Sequence, residues 1–292
     1  MLIQLISIVT PVFGAVAVGF LWARTNRPFD VASVTALVMY VGTPCLLLAT
    51  FDEVRLSPAA FGSMVLAMLL CLAAMGLLGA AVLRLAGLEI RSFLPSLMFP
   101  NAGNMGLSLC LFAFGEPGLA LAIVVFAMIA TGQFTLGAAL SRGTLEPWGL
   151  LRMPLNYAVL LGLAMLFLDV QLPEPVARSF KLLGGLTIPL MLIALGVSLS
   201  RLRPGGLPVA FALSLLRILG GAAIALGGGA PLLDLPPLER GVLVLQFSMP
   251  VAVYNYLFAE RYGRGANEVA GLVVVSTALS LASVPLVIWL FL

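Results

Sequence analysis

Ten apolar stretches, separated by short polar or charged segments, follow one another along the 292 residues. Each is close to the roughly 20 residues that a helix needs to cross the hydrocarbon core of a bilayer. The pattern therefore predicts an all-α polytopic membrane protein with ten transmembrane helices. The predicted spans are 2–22, 32–51, 58–86, 92–115, 118–140, 149–169, 175–200, 206–230, 238–260 and 267–291.

Two of these stretches contain helix-breaking residues near their middle. The fourth includes residues 98–106 (Met-Phe-Pro-Asn-Ala-Gly-Asn-Met-Gly), and the ninth includes residues 248–255 (Ser-Met-Pro-Val-Ala-Val-Tyr-Asn). Proline lacks a backbone donor, and glycine loosens the backbone, so both helices should be interrupted there. The freed backbone groups cannot face lipid and must be buried or line a cavity. The broken helices 4 and 9 therefore predict a binding site near the middle of the membrane.

The two halves of the chain carry similar features in the same order. Pro100 and Pro250 are 150 residues apart, about half of the chain, and Pro44 and Pro189 occupy similar apolar contexts. We therefore divide the chain into two five-helix repeats, residues 1–140 and 149–292. Five is an odd number, so the repeats should be inverted, with helices 4 and 9 crossing at their unwound points.

Composition and charge support a membrane protein and exclude several functions. The chain is 62% hydrophobic and 9% charged, its mean hydropathy is +1.16, and its net charge of +3 is too small and dispersed for nucleic-acid binding. The basic residues concentrate in alternate loops, which predicts that both termini lie on the outer, periplasmic side of the membrane. The predicted inner loops carry Arg24, Arg27, Arg84, Arg91, Arg142, Arg152, Arg201, Arg203, Arg261 and Arg264, whereas the outer loops carry Arg55, Arg178, Lys181 and Arg240.

The sequence contains few residues that could form a catalytic or metal-binding site. The chain has no histidine, which excludes zinc motifs and catalytic pairs that depend on histidine. Cys45, Cys71 and Cys110 lie in apolar stretches without metal-ligand spacing, so we interpret them as packing residues. We therefore expect neither an enzyme nor a bound cofactor. Coupling to sodium or to protons is compatible with the sequence.

Several motifs resemble one transporter family. They are residues 99–106, followed by 114–118 (Phe-Gly-Glu-Pro-Gly), 189–196, 249–252, 259–263 and 276–285. These segments are similar to the auxin efflux carrier family, whose bacterial members include malate and malonate carriers. The resemblance implies the fold of bile-acid sodium symporters, with helices 1, 2, 6 and 7 as scaffold and helices 3–5 and 8–10 as core. It also implies elevator-like movement of the core, transport of organic anions and a homodimer formed through the scaffold.

The candidate substrate-binding residues lie on the two interrupted helices. Each has an alternative interpretation: the asparagines can cap loose helix ends, the serine can bond to its own helix, and the tyrosine can pack. Pro44, Pro100 and Pro189 are interpreted as structural residues at helix breaks. The candidate substrate-binding residues are Asn101, Gly103, Asn104, Ser248, Pro250, Tyr254 and Asn255.

Arg217 is the one charged residue predicted well inside a transmembrane span. Burial of an unpaired arginine at that depth costs several kcal/mol, so it must find an acceptor or water. One hypothesis makes Arg217 the countercharge of an anionic substrate. The alternative is that its guanidinium bonds to carbonyl groups at helix ends inside the core.

The sequence thus predicts a secondary transporter, an efflux carrier of small organic anions such as malate, malonate or auxin-like carboxylates. The alternative is a sodium-coupled symporter of the bile-acid type for a bulkier amphipathic anion. A channel is disfavoured by the inverted repeat, and an enzyme by the lack of a catalytic constellation. With one lysine and many Ala, Leu and Gly residues, the chain is expected in a bacterial inner membrane, with the lipid bilayer and a second copy as its partners.

Overall fold

The computed structural model of the protein describes residues 2–25, 27–54, 57–144, 154–168 and 170–291. Within these ranges every regular element is a helix, and one isolated β-bridge joins two loops. The helices, in chain order, are α1 (Leu2–Arg24), α2 (Val31–Leu37), α3 (Thr43–Glu53), α4 (Pro58–Leu85), α5 (Ile90–Met98), α6 (Leu107–Gly132), α7 (Ala138–Arg142), α8 (Pro154–Leu168), α9 (Glu174–Gly184), α10 (Thr187–Arg201), α11 (Leu207–Leu215), α12 (Gly221–Ile224), α13 (Ala230–Leu232), α14 (Pro237–Phe247), α15 (Val253–Arg261) and α16 (Ala266–Trp289).

Seven helical stretches in the described part of the chain are long and apolar enough to cross a membrane. Together with α8, which is apolar but shorter, they indicate a multi-pass membrane protein. The start of the predicted sixth helix, residues 149–153, lies outside the described residues. The seven stretches are Ile3–Arg24, Val31–Glu53, Pro58–Leu85, Ala102–Arg142, Glu174–Arg201, Leu207–Leu232 and Ala266–Trp289.

The stretch Ala102–Arg142 is too long for a single crossing. Its 41 residues would reach about 60 Å as one straight helix, twice the hydrocarbon thickness. Gly115 interrupts it with φ 68° and ψ −164°, a conformation open to glycine alone. This break coincides with the boundary between the fourth and fifth predicted spans, and the part that follows it is long enough to cross the membrane by itself.

One group of helices packs around α1 and α10. The two helices approach so closely that a methyl group on Gly196 would overlap the backbone of Val16 and Phe20. Gly19 makes the reciprocal approach to the backbone of Ile193. The helix α3 packs against α8 and α9 in the same group. Small residues allow this backbone contact, which drives helix association in lipid.

A second group contains the two interrupted helices. Here α4 packs on α5 and α6, α14 packs on α6, and α11 packs on α16. Large apolar side chains fill the space between them, and Leu97, Phe99, Leu245 and Phe247 are completely buried. The unwound segments therefore sit inside a close-packed body and are kept away from lipid.

Candidate functional site

The two segments predicted to be unwound lie side by side and pair with each other. The helix α5 ends at Met98, and α14 ends at Phe247. Beyond these ends Pro100 and Val251 form an antiparallel bridge, in which the amide of Asn101 donates to the carbonyl oxygen of Pro250 at 2.7 Å. The pairing satisfies backbone groups that have lost their helical partners.

Side chains from neighbouring helices fix this crossing. The Asn255 amide donates to the carbonyl oxygen of Phe99 at 3.1 Å and accepts a hydrogen bond from Gln133 Nε2 at 3.1 Å. The Ser276 hydroxyl accepts from the amide of Val251 at 3.0 Å. All three side chains are buried. A satisfied buried network of this kind holds one backbone geometry.

The carbonyl ends of α5 and α14 converge on Arg217. This residue is completely buried, and its guanidinium donates to the carbonyl oxygens of Leu97 at 2.6 Å and Phe247 at 2.5 Å. The C-terminal end of a helix carries a partial negative charge, which a cation stabilises. The positive charge of Arg217 thus compensates the partial negative charges of two helix ends.

Each interrupted helix resumes after its break, one at Ala102 and the other at Val253. The first turns of these second halves border a cavity of about 350 Å³. The cavity extends from the crossing, between α2, α10 and α15, to the end of the molecule that carries Arg201 and Glu260. Most of its wall is apolar. The lining residues are Val31, Val34, Thr35, Val38, Met39, Pro100, Asn101, Gly103, Asn104, Phe126, Ile129, Ala130, Gln133, Phe134, Met191, Ala194, Leu195, Ser198, Arg201, Leu202, Ala252, Val253, Tyr254, Tyr256, Leu257 and Glu260.

Asn101 lines this cavity and carries a buried side-chain donor without a partner. The residue is 4% exposed, and its Nδ2 atom has no hydrogen-bond acceptor among the described residues. A buried amide without a partner costs about 1–3 kcal/mol unless something binds to it. Asn104, Tyr254 and Thr35 also line the cavity.

Two residues of opposite charge, Arg201 and Glu260, lie at the mouth of the cavity. Arg201 is exposed and donates to the carbonyl oxygen of Phe29 at 3.0 Å, next to Asp30. Hydrogen bonds from Ser33 and from the amide of Ala32 hold the pKa of Asp30 below its usual value, so this carboxylate remains ionised. Glu260 accepts a hydrogen bond from the Tyr256 hydroxyl at 2.7 Å.

The cavity includes several of the residues that the sequence pointed to. Asn101, Gly103, Asn104 and Tyr254 line it, as does Pro100 at the crossing. Gly103 fits against Phe126 and Met191, where a methyl group would lie 2.7 Å and 3.0 Å from their side chains.

Four other predicted residues do not line the cavity. The Ser248 hydroxyl donates back to the carbonyl oxygen of Val244 at 2.5 Å, within its own helix. Pro250 uses its carbonyl in the bridge, and Asn255 uses its amide to hold the crossing. Arg217 points to the two helix ends described above. At Pro250, Asn255 and Arg217 the polar atoms are occupied by backbone groups at the helix breaks.

Pro44 and Pro189 each lie in the first turn of a helix that follows an interruption. A π-helical segment, Val38–Gly42, precedes Pro44 in α3, and two turn residues precede the helix α10 that contains Pro189. Neither proline lines the cavity. The interruptions meet where Gly42 approaches Thr187, whose hydroxyl would lie 2.6 Å from an added methyl group.

Several residues of the cavity wall were not among the residues predicted from the sequence. Gln133 and Phe134 lie there although they belong to the predicted fifth span, and Arg201 was assigned only to a loop. A sequence signal for Gln133 existed, since Thr-Gly-Gln at positions 131–133 interrupts an otherwise apolar stretch. The positions of Phe126 and Phe134 carry no such signal, because aromatic residues are ordinary in a transmembrane helix.

Metal-binding clusters of three or more His, Cys, Asp or Glu residues do not occur in the described ranges. The three cysteines are free and buried. The polar groups of the cavity are thus amides, hydroxyls and one charge of each sign at the mouth.

A membrane-embedded bundle with two interrupted, paired helices beside a mostly apolar cavity that carries a few polar groups defines a membrane transporter. Comparison with known proteins supports this class. Residues 143–288, half of the chain, match the sequence profile of a family described as membrane transport proteins. The chain belongs to this family, which is the auxin efflux carrier family that the motifs resemble.

Two relatives align over most of the chain. One is the uncharacterized transporter MJ1031 of Methanocaldococcus jannaschii, which is 25% identical and shares an alignment covering 88% of each chain. The other is named "Putative malonate transporter" and comes from Rhizobium meliloti. It is 24% identical, and the alignment covers 96% of this chain and 94% of the relative. The family and both relatives are transporters, not enzymes.

Proposed function

We propose that the protein is a secondary transporter that carries small organic anions across a bacterial inner membrane by alternating access. The observation that carries this proposal is the unpaired Nδ2 donor of Asn101 at the inner end of the cavity. A buried donor beside two helix N-termini fits a carboxylate, which accepts hydrogen bonds and carries the complementary charge.

The polarity of the interrupted helices supports an anion. The first turns after the breaks, at Ala102–Gly106 and at the start of α15, border the cavity with amide groups that have no helical acceptor. Their partial positive charge faces the cavity, whereas the opposite partial charge is compensated by Arg217. A cation in this cavity would meet the unfavourable end of both helices.

We propose ten crossings arranged as two inverted repeats. Gly115 divides one stretch into two, α8 adds a further crossing, and α14 with α15 forms the counterpart of α5 with the residues up to Gly115. The pairing of Pro100 with Val251 supports this relation, because equivalent positions of two repeats meet at their symmetry axis.

Within the described residues, the lining of the cavity extends from the crossing to one end of the molecule, which supports alternating access. Its mouth lies beside Arg201, at the end that also carries Arg24 and Arg261. By the positive-inside rule this end faces the cytoplasm, and both termini lie outside. Toward the other end, Leu47, Phe51 and Val124 belong to an apolar interface that leaves no room for water.

We propose that the group around α1, α3, α8 and α10 is the scaffold, that the group containing the crossing is the core, and that the core moves as an elevator. The close backbone contact of Gly19 and Gly196 supports a rigid scaffold. Homodimerisation through the scaffold follows from the resemblance to the family.

The apolar wall gives some support to the second candidate, a sodium-coupled symporter of a bulkier amphipathic anion. Phe126, Ile129 and Phe134 offer a surface that a two-carbon or three-carbon dicarboxylate would not fill. A panel of anions of increasing apolar size distinguishes the two candidates.

Counterflow in liposomes tests the proposal. Vesicles loaded with unlabelled malonate should take up labelled malonate, and other carboxylates should compete according to their affinity. Replacing Asn101 by alanine should lower the exchange rate at least about tenfold, the value of one hydrogen bond to a charged group. Asn267→Ala is the matched control, since Asn267 is exposed and lies outside the cavity. Equal exchange in Asn101→Ala and wild type, or no exchange of any anion by folded protein, contradicts the proposal.

A further inference from the structure

Two helix ends and one guanidinium form a closed electrostatic unit behind the crossing. The helices α5 and α14 come from the two halves of the chain, and both end with their carbonyl groups directed at Arg217. Arg217 itself lies in a third element, the π-helical segment Leu216–Gly220. A single side chain therefore ties together three separate parts of the core.

The charge of Arg217 is balanced by the helix ends and not by a carboxylate. Ion pairs between described residues involve exposed or half-exposed groups elsewhere, and Arg217 takes part in none of them. Its acceptors are the two carbonyl oxygens at 2.6 Å and 2.5 Å. Two half-helix ends of this polarity form the environment in which transporters bind sodium through backbone oxygens.

The surroundings are shaped for the guanidinium. A methyl group on Gly221 would lie 2.6 Å from Arg217 Nη2 and would overlap the carbonyl group of Phe247. The ring of Phe247 lies 5.9 Å from the guanidinium carbon, a distance at which a cation is attracted to an aromatic face. Because Arg217 is completely buried and does not line the cavity, its head is confined to this position.

We propose that Arg217 is a resident cation of the crossing, which fills the place of a mobile coupling cation and makes transport independent of sodium and potassium. The independence of transport from sodium and potassium rests on the proposed transport function. The role of Arg217 as a resident cation does not depend on it. The guanidinium stays with the two helix ends in every state, so a cation gradient has nothing to bind to at this point.

The structural part is tested by thermal unfolding in detergent, without any substrate. The melting temperature of the wild type should be the same in sodium chloride, potassium chloride and choline chloride at equal concentration. Arg217→Ala should melt roughly 5–10 °C lower because both helix ends lose their countercharge. Millimolar sodium or guanidinium should restore part of this loss, and choline, which is too large, should not.

Two further variants keep the test decisive. Arg217→Lys retains a cation and should keep a melting temperature that is insensitive to sodium, even if Arg217→Ala does not fold. Arg203→Ala removes an exposed arginine outside the cavity and should behave as the wild type. A sodium-dependent melting temperature of the wild type overturns the proposal. A folded Arg217→Ala protein that responds to no small cation also overturns it.

The transport part is tested by malonate counterflow in the same three salts. Equal rates support the proposal, and a requirement of the wild type for sodium or potassium contradicts it. If malonate and the other carboxylates are not exchanged at all, the proposed anion transport fails, but the melting experiment still decides whether Arg217 is a resident cation.

Discussion

Asn101 and Arg217 show how two polar residues at similar depth take different roles. Asn101 lines the cavity and has a donor without a partner, whereas Arg217 donates to two helix ends that lie behind the crossing. The difference follows from the direction of the broken helices, because the N-terminal ends border the cavity and the C-terminal ends do not. Charge complementarity then favours an anion in the cavity and a cation at the position of Arg217, on the other side of the crossing.

Arg201 is expected to attract the anion at the mouth of the cavity. Arg201→Gln removes the positive charge there and should raise the KM for malonate about three- to tenfold at low ionic strength, with a small change in kcat. The increase should shrink at high salt, where exposed charges are screened. Initial exchange rates at several salt concentrations measure this effect.

Arg203→Gln is the matched control, because Arg203 is also exposed but does not line the cavity. If both variants raise the KM equally, a general surface charge and not the position of Arg201 explains the effect.

Among the elements, α1 and α10 depend on glycine for their contact. Gly196→Ala introduces a methyl group that overlaps the backbone of Val16 and Phe20, so the two helices must move apart. We expect a loss of about 1–3 kcal/mol of stability and a melting temperature several degrees lower. The measurement is thermal unfolding of detergent-solubilised protein.

Gly14→Ala provides the comparison within the same pair of helices. No heavy atom lies within 4 Å of a methyl group at Gly14, so this substitution should leave the melting temperature unchanged or raise it slightly. A Gly196→Ala protein that is as stable as Gly14→Ala would show that α1 and α10 do not pack as described.

At the scale of the whole molecule, the cavity and the closed interface opposite predict one-sided access. Ser198→Cys should react with a membrane-impermeant maleimide from the side of Arg201, whereas Leu47→Cys, at 1% exposure, should not react. The wild type gives a low background because Cys45, Cys71 and Cys110 are buried. Labelling of inside-out vesicles and of spheroplasts identifies the accessible side.

Transported anion should shift this pattern if the core moves. Malonate at saturating concentration should change the labelling rate of Ser198→Cys by about twofold or more, because it redistributes the two states. Labelling of Ser198→Cys from the outer side alone would contradict the proposed orientation. Rapid labelling of Leu47→Cys in the absence of anion would contradict the closed interface.

Much of the helical arrangement along the chain could be predicted from the hydrophobic pattern. Helices occupy most of each predicted span within the described residues, although a turn at residues 185–186 divides the predicted span 175–200. The breaks at Pro100 and Pro250 occur where proline and glycine interrupt apolar runs. The boundary at Gly115 was also visible, since Gly-Glu-Pro-Gly at 115–118 is a strong break in any helix. Ten crossings and the inverted relation of the halves stay predictions.

The composition of the site could be predicted only in part. A pattern identifies which segments unwind, and this was sufficient to indicate Asn101, Asn104 and Tyr254. It does not tell which polar atoms are consumed by the freed backbone, as happens at Asn255, because the bond from Asn255 to Phe99 joins groups 156 residues apart in the chain. Gln133 and Arg201 reach the cavity for the same reason, through packing between helices.

The sequence by itself determined that the chain is a membrane protein with two interrupted helices. Hydropathy and the missing backbone N–H of proline both act on the segment in which the residues lie, so both can be read from the sequence. The tertiary structure decided which ends of those helices meet the cavity and which meet Arg217. That decision requires the relative orientation of helices separated by about half of the chain. Their orientation is fixed by close packing of side chains and by hydrogen bonds at the crossing, and neither has a local signature.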